Sequence, residues 1–542
     1  MTRINRSAFA LLLVMLVCSP MTAATRTWTG AVSDRWSDGR NWDDGVPLDG
    51  DDLVFPILSN RLTVSTNDLA AGTLFRSITV NAPGSRIGGN GIVLGAGGLI
   101  LNVPFLTSLI HGDLTFASIT LADSQTWRGR GSEFTHIGPT NINGKTLTIT
   151  DAVRLDFVSL GGTGAIIEES PFGFLGTDSS AYAGAITVNA GPALIGGGTA
   201  GDVNVIGRGY GGDAQADAGA NASLELSGAN VGNVTVTGSG AFSLHGNSGT
   251  SYAGSLAFLP TTADPAWFVI ADGSIPVACN VTSDVALGNA LLIVRPNVNA
   301  AITLIHEQGA GRVTGTFMGL PEGAVFGNGN LVRISYAGGG GSDITLTPVS
   351  TGFTTTTTTI AASILPSSPG QLVSLSATVT AAAGTPAGLV SFYDGGIFLG
   401  SSPVGLSGNA FLTTSFEPGP HLFTAAYLGS ATLAASQGNV RVSICVPPIL
   451  TQQPASQSIL QGQVVTLAVQ ANATPPLSFQ WYEGFSGDTS KPVPGATSQT
   501  FTPAALMTTT PFWVRVSDDC GSVQSATAFV VVRQSRRRTV SH

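Results

Sequence analysis

Charge is scarce in this sequence. Asp, Glu, Lys and Arg together make up 10% of its 542 residues, well under the usual quarter. So little charge first suggests a membrane protein. Beyond about residue 25, however, no run of eighteen apolar residues exists to cross a bilayer as a helix. Helical periodicity is missing as well: apolar residues do not recur at 3.6-residue spacing over a helical length. Lysine occurs twice, at Lys145 and Lys491, and the six histidines stand singly at 111, 136, 245, 306, 421 and 542. These gaps exclude a nucleophile elbow, zinc-ligand spacing and a phosphate loop opening a helix. GGNG, GAGG and GGGG therefore read as glycine corners.

What is abundant is glycine, 70 residues, far above the usual share of about 7%. Short Val, Ile, Leu and Thr runs are cut by Gly, Asn and Asp, which is an all-β pattern with many turns. The length exceeds one core, so several domains are expected.

The first residues read as an export signal. Arg3 and Arg6 precede an apolar stretch from Phe9 to Val17 too short to span a membrane, and small residues follow. Cleavage after Ala24 is expected. Cys18 also permits a lipoprotein reading, but Val17 before it is bulkier than that signal prefers. The formal charge is −9, and cleavage removes two arginines and no acid, bringing it to −11. Such a chain is a poor partner for nucleic acid or anionic membrane. The one basic cluster, Arg536–Arg538, lies in the tail 534–542 and reads as a solvated chain end. Three cysteines remain after cleavage, and export permits disulfides. Cys445 and Cys520 bracket the last domain. Cys279 reads as a small buried apolar residue.

Residues 25–57 are distinctive. Trp28, Trp36 and Trp42 gather there, as suits a cap closing the end of a repeat stack. Asp43, Asp44, Asp49, Asp51 and Asp52 lack the alternate spacing of a calcium loop and are expected in solvated turns. From 58 to 350 the pattern becomes monotonous: strand-sized segments such as HGDLTFASITLADSQTW and NINGKTLTITDAVRLDFVSL alternate with turns. PFGFLGTDSSAYAGAITV at 171–188 is echoed by AFSLHGNSGTSYAGSLAF at 241–258. Repeated strand-plus-turn units argue for a solenoid, of roughly 10–14 rungs at 20–30 residues each. TGFTTTTTT at 351–359 reads as an extended linker.

Residues 360–444 hold sandwich-length strands with turns every eight to twelve residues. Residues 445–533 add a sharper signature. Val465, Leu467 and Val469 share one face, Trp481 follows twelve residues later, and Phe512, Val514 and Val516 share another. This is the spacing of an Ig core, with Val469 and Val514 standing where inter-sheet cysteines would be and Trp481 between the sheets.

Three resemblances follow from these residues. The opening WTG…RW…NW resembles that of bacterial autotransporter passenger domains. GTFMGLPEGAVFGNGNLVRISYAGGGGSDITL at 315–346 is similar to the closing segment of the autotransporter-associated β-strand repeat family. The resemblance covers about 27–350 and implies a secreted, right-handed parallel β-helix. An autotransporter ends in a membrane β-barrel, whereas this chain ends in Ig-like material, so another export route must serve. Residues 384–435 resemble the bacterial Ig-like repeats of large surface proteins, and 449–532 resemble bacterial Ig-like domains ending V-S-x-x-C-G-S. In such a sandwich the first strand begins beside the loop that carries Cys520, so the resemblance implies a Cys445–Cys520 disulfide.

For chemistry, β-helix lyases and hydrolases work with paired carboxylates or a base. The doublets Glu168–Glu169, His306–Glu307 and Asp518–Asp519 place adjacent side chains on opposite strand faces, so none is an acid/base pair. The expectation is a non-catalytic, cofactor-free, secreted or surface scaffold that presents its faces to glycans or other surface partners. The alternative is a polysaccharide-degrading β-helix enzyme with accessory Ig-like domains. An exposed aromatic platform would favour glycan binding, and Trp127 and Trp267 are its candidates.

Overall fold

The computed structural model describes residues 23–534 apart from 59–62, 103–111, 131–133, 152–153, 170–173, 178–179, 197, 208–221, 245–250, 260, 262–263, 271–278, 295–297, 328–329, 351, 364–371, 445–446, 473–475 and 519–520. The expected signal segment and basic tail fall outside the described residues, apart from a few at their inner ends, as do Cys445, Cys520, Asp519, His111, His245 and His542. The chain forms two compact units, Met1–Val203 with Asp213–Val231, and Asn204–Gly212 with Gly232–His542. Apart from one short 3-10 turn at Gly39–Asn41, every described element is a strand. No described helix is long and apolar enough to cross a membrane.

In the first unit the strands pair in parallel and build three ladders. One runs through Asp52–Phe55, Thr73–Val80, Ile92–Asn102, Gln125–Arg130, Lys145–Asp151, Gly164–Glu168 and Ala185–Val188. A second takes Ile119–Leu121, Thr140–Asn141, Leu160–Gly162 and Ser180–Tyr182. The third takes Val64–Asn67, Arg86–Gly89, Gly112–Phe116, Phe134–Ile137, Arg154–Phe157, Phe174–Thr177, Pro192–Gly196 and Ser223–Ser227. From Gly112 to Val188 the chain visits the three ladders in rotation, so each partner lies about twenty residues along: Leu147 pairs with Ile166, and Ile166 with Ile186.

The alternation of each strand buries Leu114, Leu121, Trp127, Ile137, Ile149, Leu155, Phe157 and Ile166. Glycine is required where the chain turns between ladders. At Gly164 φ is +121°, and a Cβ there would run into the Lys145 carbonyl of the neighbouring strand.

Aromatic rings close the start of this unit. Trp28, Trp36 and Trp42 are buried with Phe55, Phe75 and Phe116. The Trp28 and Trp42 ring centroids stand 5.0 Å apart, those of Trp36 and Trp42 5.7 Å, both edge-on. Asn41 ties the loop below them together. Its Oδ1 accepts from the Val32 and Ser33 amides, and its Nδ2 donates to Ser33 Oγ and the Arg35 carbonyl.

The second unit repeats the parallel pattern. Val234–Thr237, Leu256–Leu259, Val285–Ala286 and Val313–Thr314 stack in register. So do Ala241–Leu244, Trp267–Ile270 and Leu291–Val294. A third series, Ser251–Ala253, Cys279–Val281 and Ile302–Glu307, ends by pairing antiparallel with Asp343–Pro348. Asp343–Pro348 pairs in turn with Val332–Gly338, and that with Val325–Phe326. The reversal uses up the open edge that a parallel stack would otherwise leave.

Two sandwiches of mainly antiparallel strands follow. In the first, Thr356–Ala362, Leu372–Ala381 and Asn409–Ser415 face Ile397–Pro403, Leu389–Asp394, Gly419–Tyr427 and Ser436–Ile444 across a core of Leu375, Val390, Phe392, Phe423 and Tyr427. The Thr-rich run expected as a linker over 351–359 is sheet in its later part. From Thr356 it is a strand paired with Leu372–Ala381, because one face of a β-branched polar strand can stay wet while alternate threonines tuck in. Thr358 is buried and shares a hydrogen bond with Ser436 Oγ, at 2.7 Å. In the second sandwich, Gln457–Leu460 runs parallel to Ala528–Arg533, which pairs with Thr510–Asp518, and that strand with Ser478–Glu483. Val469, Trp481 and Val514 are fully buried in one cluster, and Trp481 Nε1 donates to the Ser498 carbonyl at 2.9 Å.

Candidate binding surfaces

The groups with acid/base or nucleophilic chemistry are mostly braced into the fold. Glu168 is buried, while Glu169 on the opposite side is exposed. Glu307 Oε1 accepts from the Gly309 and Gly311 amides at 2.7 and 3.1 Å, so it holds a turn. His306 Nδ1 lies 2.9 Å from Asp343 Oδ1, which also receives the Glu307 amide. Asp518 accepts the Gly521 amide. Cys279 is fully buried, and burial pushes its thiol up to about 12, away from nucleophilic use.

The acids of the opening segment are more engaged than solvated turns imply. Asp51 is buried and accepts from the Ala24 and Leu48 amides and from Arg26 Nε. Asp44 pairs with Arg26, Asp43 accepts the Thr27 amide, and Asp49 the Leu74 amide. Burial works against ionisation of Asp52, but hydrogen bonds from Arg76 and Ser77 hold its carboxyl below the usual range. Among the described residues no group of His, Cys, Asp and Glu is arranged to hold a metal.

One polar row emerges only from the register. Arg86 pairs with Asp113, Asp113 with His136, and His136 with Asp156, all on the outward face of the third ladder of the first unit. His136 Nδ1 is 3.3 Å from Asp113 and Nε2 is 3.8 Å from Asp156, with Arg86 3.7 Å from Asp113. Read along the sequence, His136 stands alone. Its partners lie about twenty residues to either side, so the parallel offset was the signal that could have found them.

The aromatic candidates also change places. Trp127 is core, stacked on Phe157 at 5.8 Å with its Nε1 donating to Gln125. Trp267 is half-buried. Among the described residues, the exposed rings are phenylalanines on the sandwiches: Phe398, Phe411 and Phe485, with Phe529 beside the last. Phe485 and Phe529 sit edge to face with centroids 6.1 Å apart.

Within the second unit, the parallel region and its closing segment meet the first sandwich. Arg441 reaches Asp264 at 2.6 Å, the Gly396 amide donates to the Thr261 carbonyl, and Asn289 Nδ2 donates to the Gly396 carbonyl. Met318, Tyr393 and Ala426 form a small buried cluster, and the Ala435 amide donates to the Val325 carbonyl at 2.6 Å. Beside this contact lies a cleft of about 410 Å³ lined by Leu292, Met318, Leu320 and Phe326 on one wall and Thr356 and Gln437 on the other.

His421 lies nearby on Gly419–Tyr427. Its Nδ1 is 2.7 Å from Asp394 Oδ2 and its Nε2 is 2.8 Å from the Glu417 carbonyl. Both neighbours are acceptors, so both ring nitrogens carry protons when the contacts are made. Burial opposes that charge, but Asp394 and the Glu417 carbonyl overcome it and raise the His421 pKa.

Residues 354–445 match the family of bacterial Ig-like domains, group 3, and residues 451–534 match a domain of unknown function. No curated protein sequence matches the chain. Among solved structures, Sidekick-1 immunoglobulin domains 1–4 are similar at 18% identity, over 38% of this chain and 58% of that one, with a TM-score of 0.24. The chain thus spans little more than half of the Sidekick-1 fragment. The N-terminal eight Ig domains of Down Syndrome Cell Adhesion Molecule align at 13% identity over 42% of this chain and 37% of that one, TM-score 0.29. The Ig1–2 module of the Drosophila receptor protein tyrosine phosphatase DLAR aligns at 13% over 32% and 99%, TM-score 0.14. The chain is an all-β protein with Ig-like domains and parallel sheets.

Proposed function

We propose that this is an exported, non-catalytic adhesive scaffold that holds extracellular glycans or other surface partners. The observation that carries the reading is the disposition of side chains. His, Asp and Glu groups that chemistry would need are spent on turns, amides and ion pairs, while apolar rings are left on the outer faces of the sandwiches. The match to bacterial Ig-like domains supports a location outside the cytoplasm.

In this reading the rotating parallel ladders of each unit are coils of a right-handed β-helix, the hand that parallel crossovers favour. The Trp-rich segment 25–57 is the cap of the first coil, and residues 1–24 are removed on export. The ligand needs no cofactor.

A second reading, a polysaccharide-degrading enzyme, draws on the Asp113–His136–Asp156 row. Two carboxylates separated by one strand stand roughly 9–10 Å apart, at the upper limit for an inverting glycosidase. Both carboxylates flank the same imidazole, which leaves no room between them for a sugar and a water.

One assay separates the two. The purified protein is incubated with soluble and insoluble polysaccharides, and both retention and newly formed reducing or unsaturated ends are measured. Retention without product is expected. Product formation abolished by Asp113→Asn or Asp156→Asn would replace the scaffold reading with the enzymatic one.

A further inference from the structure

The geometry points to the outer face of the second sandwich, around Phe485 and Phe529, as a binding surface for uncharged polysaccharide. This inference rests on the scaffold reading and narrows it to a place and a ligand class.

Phe485 is 64% exposed and Phe529 38%, yet both rings are held. Phe485 sits in a loop tied down at several points. The Gly484 amide donates to the Pro511 carbonyl, the Ser486 amide to Thr527 Oγ1, and Ser486 Oγ to the Ser525 carbonyl. Beyond it, Trp513 Nε1 donates to the Asp488 carbonyl. Phe529 is on a strand whose amide donates to Ser456 Oγ at 2.9 Å. Leaving two large apolar rings in water is unfavourable, and anchoring their loop so that they remain there preorganises a contact surface.

The surroundings of the pair select the ligand. Pro511 pairs with Phe529 on the neighbouring strand, and Val531, two residues along from Phe529, lies exposed on the same face. Ser458 stands opposite Val531. Besides Trp513, the side chains that hydrogen-bond to the segments bearing the rings include Ser456, Ser486, Thr509, Thr527 and Gln453. All are uncharged hydroxyls or amides. Aromatic and proline faces pack against the C–H face of a pyranose, and a hydroxyl and amide rim exchanges hydrogen bonds with its hydroxyl groups. A uronic acid polymer would want a row of cations; this face carries Arg533, exposed two residues beyond Val531, while Lys491 near the loop is paired with Glu483.

The test compares the full chain with the double variant Phe485→Ala/Phe529→Ala and the control Phe411→Ala, an exposed ring on the first sandwich. Retention is measured on insoluble β-glucan, chitin and mannan and on the anionic polymers alginate and polygalacturonate. Far-UV circular dichroism and thermal unfolding establish that each variant is folded. The expected result is retention on at least one neutral polymer that falls tenfold or more in the double variant and is unchanged in the control. Retention undiminished in the double variant, or confined to the anionic polymers, overturns this inference and leaves the scaffold reading standing. Absence of wild-type retention on every polymer overturns both as far as glycans are concerned. Sedimentation showing a wild-type dimer that the double variant loses, without glycan binding, would make the patch a contact between two copies of the chain.

Discussion

At the scale of single residues, His421 offers the clearest chemistry. A histidine whose pKa rises on folding contributes its stability below the ordinary value of about 6.5 and loses it as pH climbs through the raised folded value. Since Asp394 and the Glu417 carbonyl are what raise it, the ion pair should be intact at pH 6 and weaken above neutrality. Removing the imidazole strands a buried carboxylate, so His421→Gln should cost about 3 kcal/mol at pH 6. The gap between wild type and variant should narrow toward pH 9. Urea unfolding across that range measures it, and a gap independent of pH would show that the ring is not charged.

Cys445 and Cys520 invite a second residue-scale experiment. A Cβ added to Gly521 would lie 3.6 Å from the Pro447 Cβ, so the described neighbours of the two cysteines are adjacent. We expect a disulfide, closing a loop of about 75 residues and adding about 4 kcal/mol on the chain-entropy model. Alkylation after unfolding without reductant should then label Cys279 and neither of the others, while labelling of all three would rule the bond out.

Local spacing carries the side of a strand on which a residue falls. Val469, Trp481 and Val514 share a core because strand alternation dictates their side. Trp127 reads from sequence as a possible platform and is core, since its exposure depends on which neighbouring strand supplies Phe157, thirty residues away.

At the scale of elements, strand positions were legible and their partners were not. Alternation marks the segments 112–116, 119–121 and 125–130 as strands. Nothing local says that each pairs with a strand about twenty residues on, and the Arg86–Asp113–His136–Asp156 row appears only with that register. The threonine run failed for a related reason. Polar composition suggests a linker, and only the partner strand Leu372–Ala381 makes it part of a sheet.

The buried aromatic cluster of the opening segment is an element whose energetics can be tested. Trp36 is fully buried and touches Trp42, Phe55, Phe75 and Phe116, yet its Nε1 finds no partner. Trp36→Ala should destabilise the first unit by about 3–5 kcal/mol through the cavity it opens. Trp36→Phe loses less volume and also removes an unsatisfied buried donor, so its cost should be clearly smaller. Tryptophan fluorescence during denaturant unfolding reads both. Equal costs would mean that the indole N–H is satisfied by water.

At the scale of the whole molecule, the central question is whether its parts melt together. Within the second unit the first sandwich is joined to the parallel region by more than a linker. Arg441 pairs with buried Asp264, the Gly396 turn exchanges two hydrogen bonds with Thr261 and Asn289, and Ala435 pairs with Val325. Burial raises the Asp264 pKa, and Arg441 opposes that rise, so the arginine is what keeps the carboxylate tolerable at neutral pH. Gly319 permits the close approach: φ is +68°, and a Cβ there would collide with that of Ala426. Two variants attack the same contact by different physics. Arg441→Ala leaves a buried carboxylate unpaired. Gly319→Val adds bulk and forces a β-branched residue into the left-handed region. If the contact couples the two regions, calorimetry on the wild type should give one transition for them, and each variant should split it by several degrees. Because one variant acts through charge and the other through packing, only the Arg441→Ala split should shrink as pH falls through the raised pKa of Asp264, where its carboxyl takes up a proton. Separate transitions already present in the wild type would mean that the sandwich is a tethered module, free to reorient toward a partner surface.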